Sequence, residues 1–412
     1  MVSALRSDEH SGSDRIWLKE YGTASVPDLS RDDLRFLIAS YPNAIGASID
    51  PTLNVPRLKA TSWIGVITLP SGREVRIDTK VPVANVFHML GVAGEWSDYF
   101  RPEQVAHYAP DDTLLQVAAR FFRDQCLGID GAGLYRVYAD HDDNLVTVRG
   151  RIDFVADVRR NLIERQYTAC SFSEFTRDIP ENQVLRQTVS LLARCGLLDA
   201  LADDFQRIEY WWSDITPSHH EPEAALGFTY HRLNEHYRPA HHLAALLLQW
   251  LSPAGSAGDR RFPAFLADMK GLYETFVRRV LADYLRGRIE VAKPPLMALD
   301  RAARLRFQPD LLFSRADGPA LVGDCKYKRV GTERWGEDDV YRMVAYCTAL
   351  GLDLGVLLFP RHLVDVDDEV VIRGTGTTVK RMTIDLGAPM AALAAECARV
   401  GEAIMDMLSL GD

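Results

Sequence analysis

Residues 307–328 read FQPDLLFSRADGPALVGDCKYK, two short apolar runs of which the second ends on an aspartate, a cysteine and a lysine. Charges are normally kept out of buried strands, so Asp324 and Lys326 at the end of such a run ask for a reason. In an extended strand, residues two apart share a face. Asp324 and Lys326 therefore project together while Cys325 turns the other way. A neighbouring strand headed by Asp310, just after Pro309, brings a second carboxylate to the same edge, with a reversal at Gly318-Pro319 between the two strands.

Two converging carboxylates repel unless something positive lies between them. Hard oxygen ligands suit Mg²⁺, which keeps several waters and is held by one or two carboxylates plus substrate phosphates. Such an ion polarises a phosphodiester and lowers the pKa of a bound water, and a nearby lysine orients that water or steadies the transition-state charge. The pattern points to metal-assisted phosphodiester hydrolysis. The residues alone leave open a plainer reading, a turn aspartate followed by a surface Asp/Lys pair.

The rest of the chain sets the context. It has 412 residues, 47% apolar and 25% charged, with a formal charge of −10. That is the composition of an ordinary globular protein and argues against a surface that coats nucleic acid as a whole. A local excess exists all the same: residues 260–306 hold eleven Lys/Arg against five acids. The charged N-terminus lacks an export signal and the most apolar run, residues 243–251, is too short to span a bilayer, so a cytoplasmic protein with no membrane contact is expected. Six scattered cysteines without a CxxC pair fit reduced thiols.

By pattern the chain is an α+β multidomain protein. Residues 1–155 read as a β-rich α+β domain, with hairpins around Pro70–Gly72 and around His141–Asn144 and helices over 84–91 and 112–128. Residues 156–258 read as a helical connecting region that ends in a small, polar linker at 252–261. Residues 259–412 read as an α/β domain: a helix over 262–285, strands over 309–315 and 320–326, a helix over 337–350, a strand over 353–359 and a closing helix over 388–409. RGTGT (373–377) lies between two β-like runs and reads as a hairpin turn. The histidines at 219, 220, 231, 236, 241 and 242 read as surface residues near a turn and are assigned no metal. Arg149 and Arg151, with Asp153 beside them, read as a structural ion pair.

Pro309-Asp310, thirteen intervening residues and Asp324-Cys325-Lys326 resemble the signature of the PD(D/E)xK nucleases, whose core is a mixed central sheet flanked by helices. The resemblance implies a further acidic group on the upstream helix, where this sequence has Glu274. It also implies a downstream helix with a Gln-x-x-x-Tyr pattern, here Arg342 and Tyr346, so that arginine stands where glutamine is expected. Arg278, Lys328, Arg342 and Tyr346 are the candidate DNA contacts.

A wider resemblance covers roughly residues 18–360. The blocks LKEYGTASVPDLSRDDLRFL (18–37), WIGVITLPSGREVRIDTKVPVANVFHMLG (63–91), GLYRVYADHDDNLVTVRGRIDF (133–154), CSFSEFTRDIPENQVLR (170–186) and FLADMKGLYETFVRRVL (265–281) look like the McrC family in matching order. This implies an endonuclease subunit of a modified-cytosine-directed restriction system, cutting double-stranded DNA with Asp310, Asp324, Lys326 and Glu274. The metal would be Mg²⁺, with Mn²⁺ as a substitute, on Asp310, Asp324 and Glu274. The implied partner is an McrB-like AAA+ ring whose GTPase the N-terminal domain stimulates. No GxxxxGK[ST] occurs in the sequence, so the chain itself is expected to bind no nucleotide. The alternatives are a catalytically inactive activator of such a ring and a stand-alone repair-type nuclease.

Overall fold

The computed structural model describes residues 15–50, 52–94, 113–163, 166–195, 198–251, 264–300, 302–329 and 335–409. They fall into two compact units, Met1–Leu115 with Leu251–Asp412, and Gln116–Trp250. The expected borders at 155 and 258 follow the order of elements along the chain. Packing follows another line, because a strand beyond the linker returns to the N-terminal sheet.

The first unit opens with β1 (Arg15–Lys19), β2 (Thr23–Ser25), α1 (Arg31–Ser40), β3 (Ile45–Ile49), β4 (Pro56–Ala60), β5 (Trp63–Thr68), β6 (Glu74–Asp78) and α2 (Val83–Ala93). The alternation in residues 62–78 yields the expected β5–β6 hairpin, and β1 adds in parallel to β6. Ser30 caps α1 by accepting from the Asp33 amide at 3.0 Å, and buried Asp33 in turn accepts from the Ser71 amide at 3.0 Å. The helix is thereby tied to the hairpin turn.

The second unit contains α3 (Leu114–Ala132), β7 (Val137–Leu145), β8 (Arg151–Ile152), α4 (Phe154–Asn161), β9 (Thr168–Thr176), α5 (Pro180–Arg194), α6 (Asp199–Trp211) and α7 (Arg238–Trp250). Here the sequence reading needs correction. β7 runs straight through His141–Asn144, where a turn was expected, and pairs along its length with β9, which lies in the stretch read as helical. The acidic residues are compatible with a strand because Ser171 and Ser173 on β9 donate to Asp142 and Asp140 across the ladder. Arg149 pairs with Glu174 at 3.2 Å, and Asp153 caps α4 by accepting from the Val155 and Ala156 amides. His241 is a core residue rather than a surface one, with hydrogen bonds to the Tyr230 hydroxyl at 2.9 Å and the Glu181 carbonyl at 3.0 Å.

The chain re-enters the first unit with β10 (Ala264–Asp268), α8 (Met269–Tyr284), β11 (Glu290–Ala292), β12 (Met297–Ala298), β13 (Arg306–Phe307), β14 (Leu311–Arg315) and β15 (Gly318–Cys325). It continues with α9 (Glu337–Leu350), β16 (Leu354–Pro360), β17 (Asp368–Val371), β18 (Thr378–Ile384) and α10 (Met390–Ser409). Six of these strands form a mixed sheet in the order β11-β14-β15-β16-β18-β17. β15, β16 and β18 are parallel and the outer strands antiparallel. α9 packs Val340, Met343 and Cys347 onto Val322, Leu357 and Val379 of the sheet. The reversal before β15 uses Ala316-Asp317, two residues earlier than expected, with Gly318 at φ +137° as the first strand residue. No helix among the described residues is long and apolar enough to cross a membrane.

The expected helix over 262–285 is in fact a strand followed by a helix. β10 pairs antiparallel with β5, Leu266 opposite Gly65, and completes the sheet β1-β6-β5-β10. Gly65 sits at φ +138°, and a Cβ there would lie 1.9 Å from the Phe265 carbonyl oxygen. Only glycine allows β10 this close. Gly65→Ala is therefore expected to destabilise the protein by at least about 3 kcal/mol, through backbone strain plus a clash with main chain that cannot rotate away. Urea unfolding of the purified chain measures it.

Candidate active site

The register of β14 on β15 builds the centre of the site. Leu311 stands opposite Gly323, so one step further the antiparallel ladder sets Asp310 opposite Asp324. Directly opposed residues have Cβ atoms only about 4.5–5.5 Å apart. The Asp310 carboxylate accepts from the Cys325 amide at 2.9 Å, which fixes its orientation. Lys326 continues the parallel ladder one residue past the end of β15, its amide donating to the Leu358 carbonyl at 2.8 Å. Its ammonium makes a close ion pair with Asp324 and lies 3.6 Å from Asp339 at the start of α9. Asp324 and Lys326 are 4% and 9% exposed.

The electrostatics follow from that burial. Asp310 is pushed up to about 7, first by desolvation, then by the Asp324 charge and its hydrogen bond, then by Glu274, against the pull of the Cys325 amide. Glu274, one and a half turns into α8, is also raised by burial, opposed by Lys270 and Lys293 and reinforced by Asp324. Lys270 forms its ion pair at 3.8 Å, the i,i+4 partner one turn back. Tyr346 stacks on Phe307 with ring centroids 5.2 Å apart, and burial together with the Asp324 charge keeps its phenol protonated up to about 12.

Asp310, Asp324 and Lys326 thus converge, with Glu274 and Tyr346 as electrostatic neighbours. Arg342 is exposed one turn before Tyr346 on α9, and Arg278 lies one turn beyond Glu274 on α8. Lys328 binds Asp339 at 2.7 Å. Asp339 is the residue that sequence reading missed: it is buried between Lys326 and Lys328, and its only signal was the acidic run 337–339, which reads equally well as an ordinary helix start. The basic excess of residues 260–306 does not gather here as a whole. Arg286 and Arg288 line a cleft of about 440 Å³ with Arg315, which stands at the other end of β14.

The donor set suits a hard divalent cation in part. Two close carboxylates, of which Asp310 is raised to about 7 by burial and by the Asp324 charge, are the kind of pair that such an ion relieves. Among the described residues, however, no three His, Cys, Asp or Glu side chains form a closed metal cage. Glu274 remains a neighbour of the pair, engaged by Lys270.

A mixed sheet with helices packed on it and an acid–lysine cluster at one strand end defines an α+β protein with a concentrated polar centre in its C-terminal half. Comparison with known proteins gives this class a family. Residues 58–360 match the family described as McrBC 5-methylcytosine restriction system component. The type IV methyl-directed restriction enzyme EcoKMcrBC of Escherichia coli (strain K12) is 23% identical over 328 residues, 74% of this chain and 93% of the relative. A chain from the tetradecameric assembly of Thermococcus gammatolerans McrB AAA+ hexamers with bound McrC shares the fold, with a TM-score of 0.67 at 17% identity, over 95% of this chain and 100% of that one. The chain belongs to the McrBC restriction-component family.

Asp310 gives the site a pH signature. Its folded pKa lies above the ordinary value of about 3.9, so the folded state holds the extra proton, and stability falls as pH rises between about 4 and 7. Without divalent metal, Asp310→Asn should therefore match the wild type at pH 4 and exceed it by on the order of 2–4 kcal/mol at pH 8. Urea midpoints at the two pH values report the difference.

Proposed function

We propose that the chain is the DNA-cleaving subunit of a GTP-dependent restriction complex directed at modified cytosine, with Asp310, Asp324 and Lys326 as a PD(D/E)xK endonuclease centre. The observation that carries the reading is the convergence of Asp310, which stands just before β14, accepts from the Cys325 amide and hydrogen-bonds Asp324, with Asp324 and its ion-paired Lys326. Membership of a restriction-system family supports the substrate class.

Asp310 and Asp324 would hold Mg²⁺ or Mn²⁺, with Glu274 as the further acid behind them. When bound, the ion supplies Lewis-acid polarisation of the scissile phosphate and a water of lowered pKa. Lys326 would orient an attacking water and offset charge gathering on the phosphate oxygens. Asp339 restrains the lysine from the α9 side, so that its ammonium is shared between two carboxylates before DNA arrives. The protonated Tyr346 phenol and the exposed Lys328 and Arg342 are donors for the phosphodiester backbone, with Arg278 further along α8.

The partner is an McrB-like AAA+ GTPase ring, as in the assembly of the structural relative. The second unit offers a face for it. Phe154, Val155, Val158 and Leu162 follow one side of α4 in exposed positions, and Tyr138 and Phe175 pair on the sheet against which α4 packs. Exposed apolar groups gathered on a short helix such as α4 are the mark of an interaction site.

Two substitutions separate cleavage from partner engagement. Asp324→Ala should reduce DNA cleavage by the purified complex at least about 10³-fold, since charge stabilisation and water activation are lost together, while the partner's GTPase stays stimulated. Cleavage that survives this change excludes the assignment. Phe154→Ser with Val158→Asp should do the reverse at the first step, weakening GTPase stimulation several-fold in a titration of the ring while leaving the fold intact by circular dichroism.

A further inference from the structure

The block LKEYG (18–22) lies far from Asp324 in sequence, yet two of its side chains end on the residue after the site lysine. Glu20 follows β1 and is fully buried, its amide donating to the Asp78 carbonyl at 2.9 Å. The Tyr327 hydroxyl donates to its Oε2 at 3.1 Å. Tyr21 sits at φ +56°, a left-handed conformation uncommon for a bulky residue, inside a tight turn in which the Gly22 amide donates to the Lys19 carbonyl at 2.6 Å. From this conformation its hydroxyl donates to the main-chain carbonyl of Tyr327. The Tyr327 ring lies between Tyr21 and Tyr273 of α8, with centroids 6.4 and 5.6 Å away.

We propose that Glu20 and Tyr21 form a clamp on Tyr327 that positions Lys326 for cleavage. The inference rests on the reading of Lys326 as part of an endonuclease centre. The need for a clamp comes from the fold: β15 ends at Cys325, so the lysine stands one residue beyond the strand, where chains fray. Its amide is anchored on β16. The next residue is held from the N-terminal sheet, by its carbonyl through Tyr21 and by its hydroxyl through Glu20. Since side chains alternate, Tyr327 points away from Lys326 and Asp324, and the clamp acts on the main chain without touching substrate. A left-handed tyrosine is strained, which is explicable where it aims a hydroxyl at one carbonyl.

The test uses Tyr21→Phe, Tyr327→Phe, Glu20→Ala and Glu20→Gln in the full chain, assembled with its ring partner. The two phenylalanine variants keep the rings and Gln keeps an acceptor for the Tyr327 hydroxyl. For Tyr21→Phe, Tyr327→Phe and Glu20→Ala, kcat for DNA cleavage should fall about 10- to 100-fold with KM for DNA unchanged, the scale expected of a misplaced group. Glu20→Gln should retain most of the wild-type kcat. A second readout is independent of cleavage: amide hydrogen exchange at Lys326–Lys328 in the chain alone should accelerate in the same three variants while protection of β16 stays as it is. Wild-type kcat per folded molecule in Tyr327→Phe and Glu20→Ala, or a Gln variant as deficient as the Ala variant, overturns the clamp. Absence of cleavage by the wild type itself would count against the endonuclease reading instead, and the exchange experiment would still decide the clamp.

Discussion

The pairing of β10 with β5 is the constraint on which the rest of the first unit depends. β10 is covered on both sides and completes the N-terminal sheet, and α8 leaves it without a linker, capped by Asp268, which accepts from the Lys270 amide at 3.0 Å. The helix therefore takes its direction from the N-terminal sheet. Tyr273 and Glu274 ride on its first two turns, one packed against Tyr327 and the other facing the carboxylate pair. Gly65 makes this possible by giving the Phe265 carbonyl room to approach. A second tie comes from α2, where Asn85 donates to the Leu386 and Ala388 carbonyls at 2.7 Å, between β18 and α10.

Charge at the site adds little to stability. Burying ions costs several kcal/mol apiece, and even a well-paired buried set seldom outdoes apolar packing of the same volume. Here Asp310, Asp324 and Asp339 meet Lys326 and Lys328 in a small region, and the lysine is divided between two carboxylates. An arrangement built for stability would have matched each charge once. Excess carboxylate, a raised Asp310 and a neutral Tyr346 phenol form a perturbed cluster of the sort that accompanies function.

The hairpin β14–β15 was legible in the sequence because it obeys one rule, alternation with period 2, and because two apolar runs of matching length allow one sensible register. The helices that follow it were legible by their 3.6-residue period, and the β17–β18 hairpin by the turn RGTGT between two β-like runs. What escaped reading depended on partners far along the chain. The apolar run at 264–268 satisfies helix and strand patterns equally, and pairing with β5 decides between them. β7 looks like a turn because it is acidic, until serines of β9 are placed opposite its aspartates. Asp339 has no local signature that separates a lysine partner from a helix start. Glu20 and Tyr327 are further still from being readable, since neither has meaning without the other.

Two routes therefore join the N-terminal sheet to the site, and they differ in kind. One is covalent and rigid, β10 into α8, and it places Glu274. The other is a pair of hydrogen bonds and a stack of rings from Glu20 and Tyr21 onto Tyr327, and it ends beside Lys326. A displacement of β1 against β10 would leave the first route unchanged while loosening the second, because helices move as bodies and single hydrogen bonds do not stretch far before they are lost. The lysine is then the group most exposed to events in the N-terminal sheet, and the carboxylates the least, since Asp324 is held in the β15–β16 ladder and Asp310 by the Cys325 amide. In such a design the carboxylate pair stays assembled throughout, and the placement of one ammonium is the adjustable element.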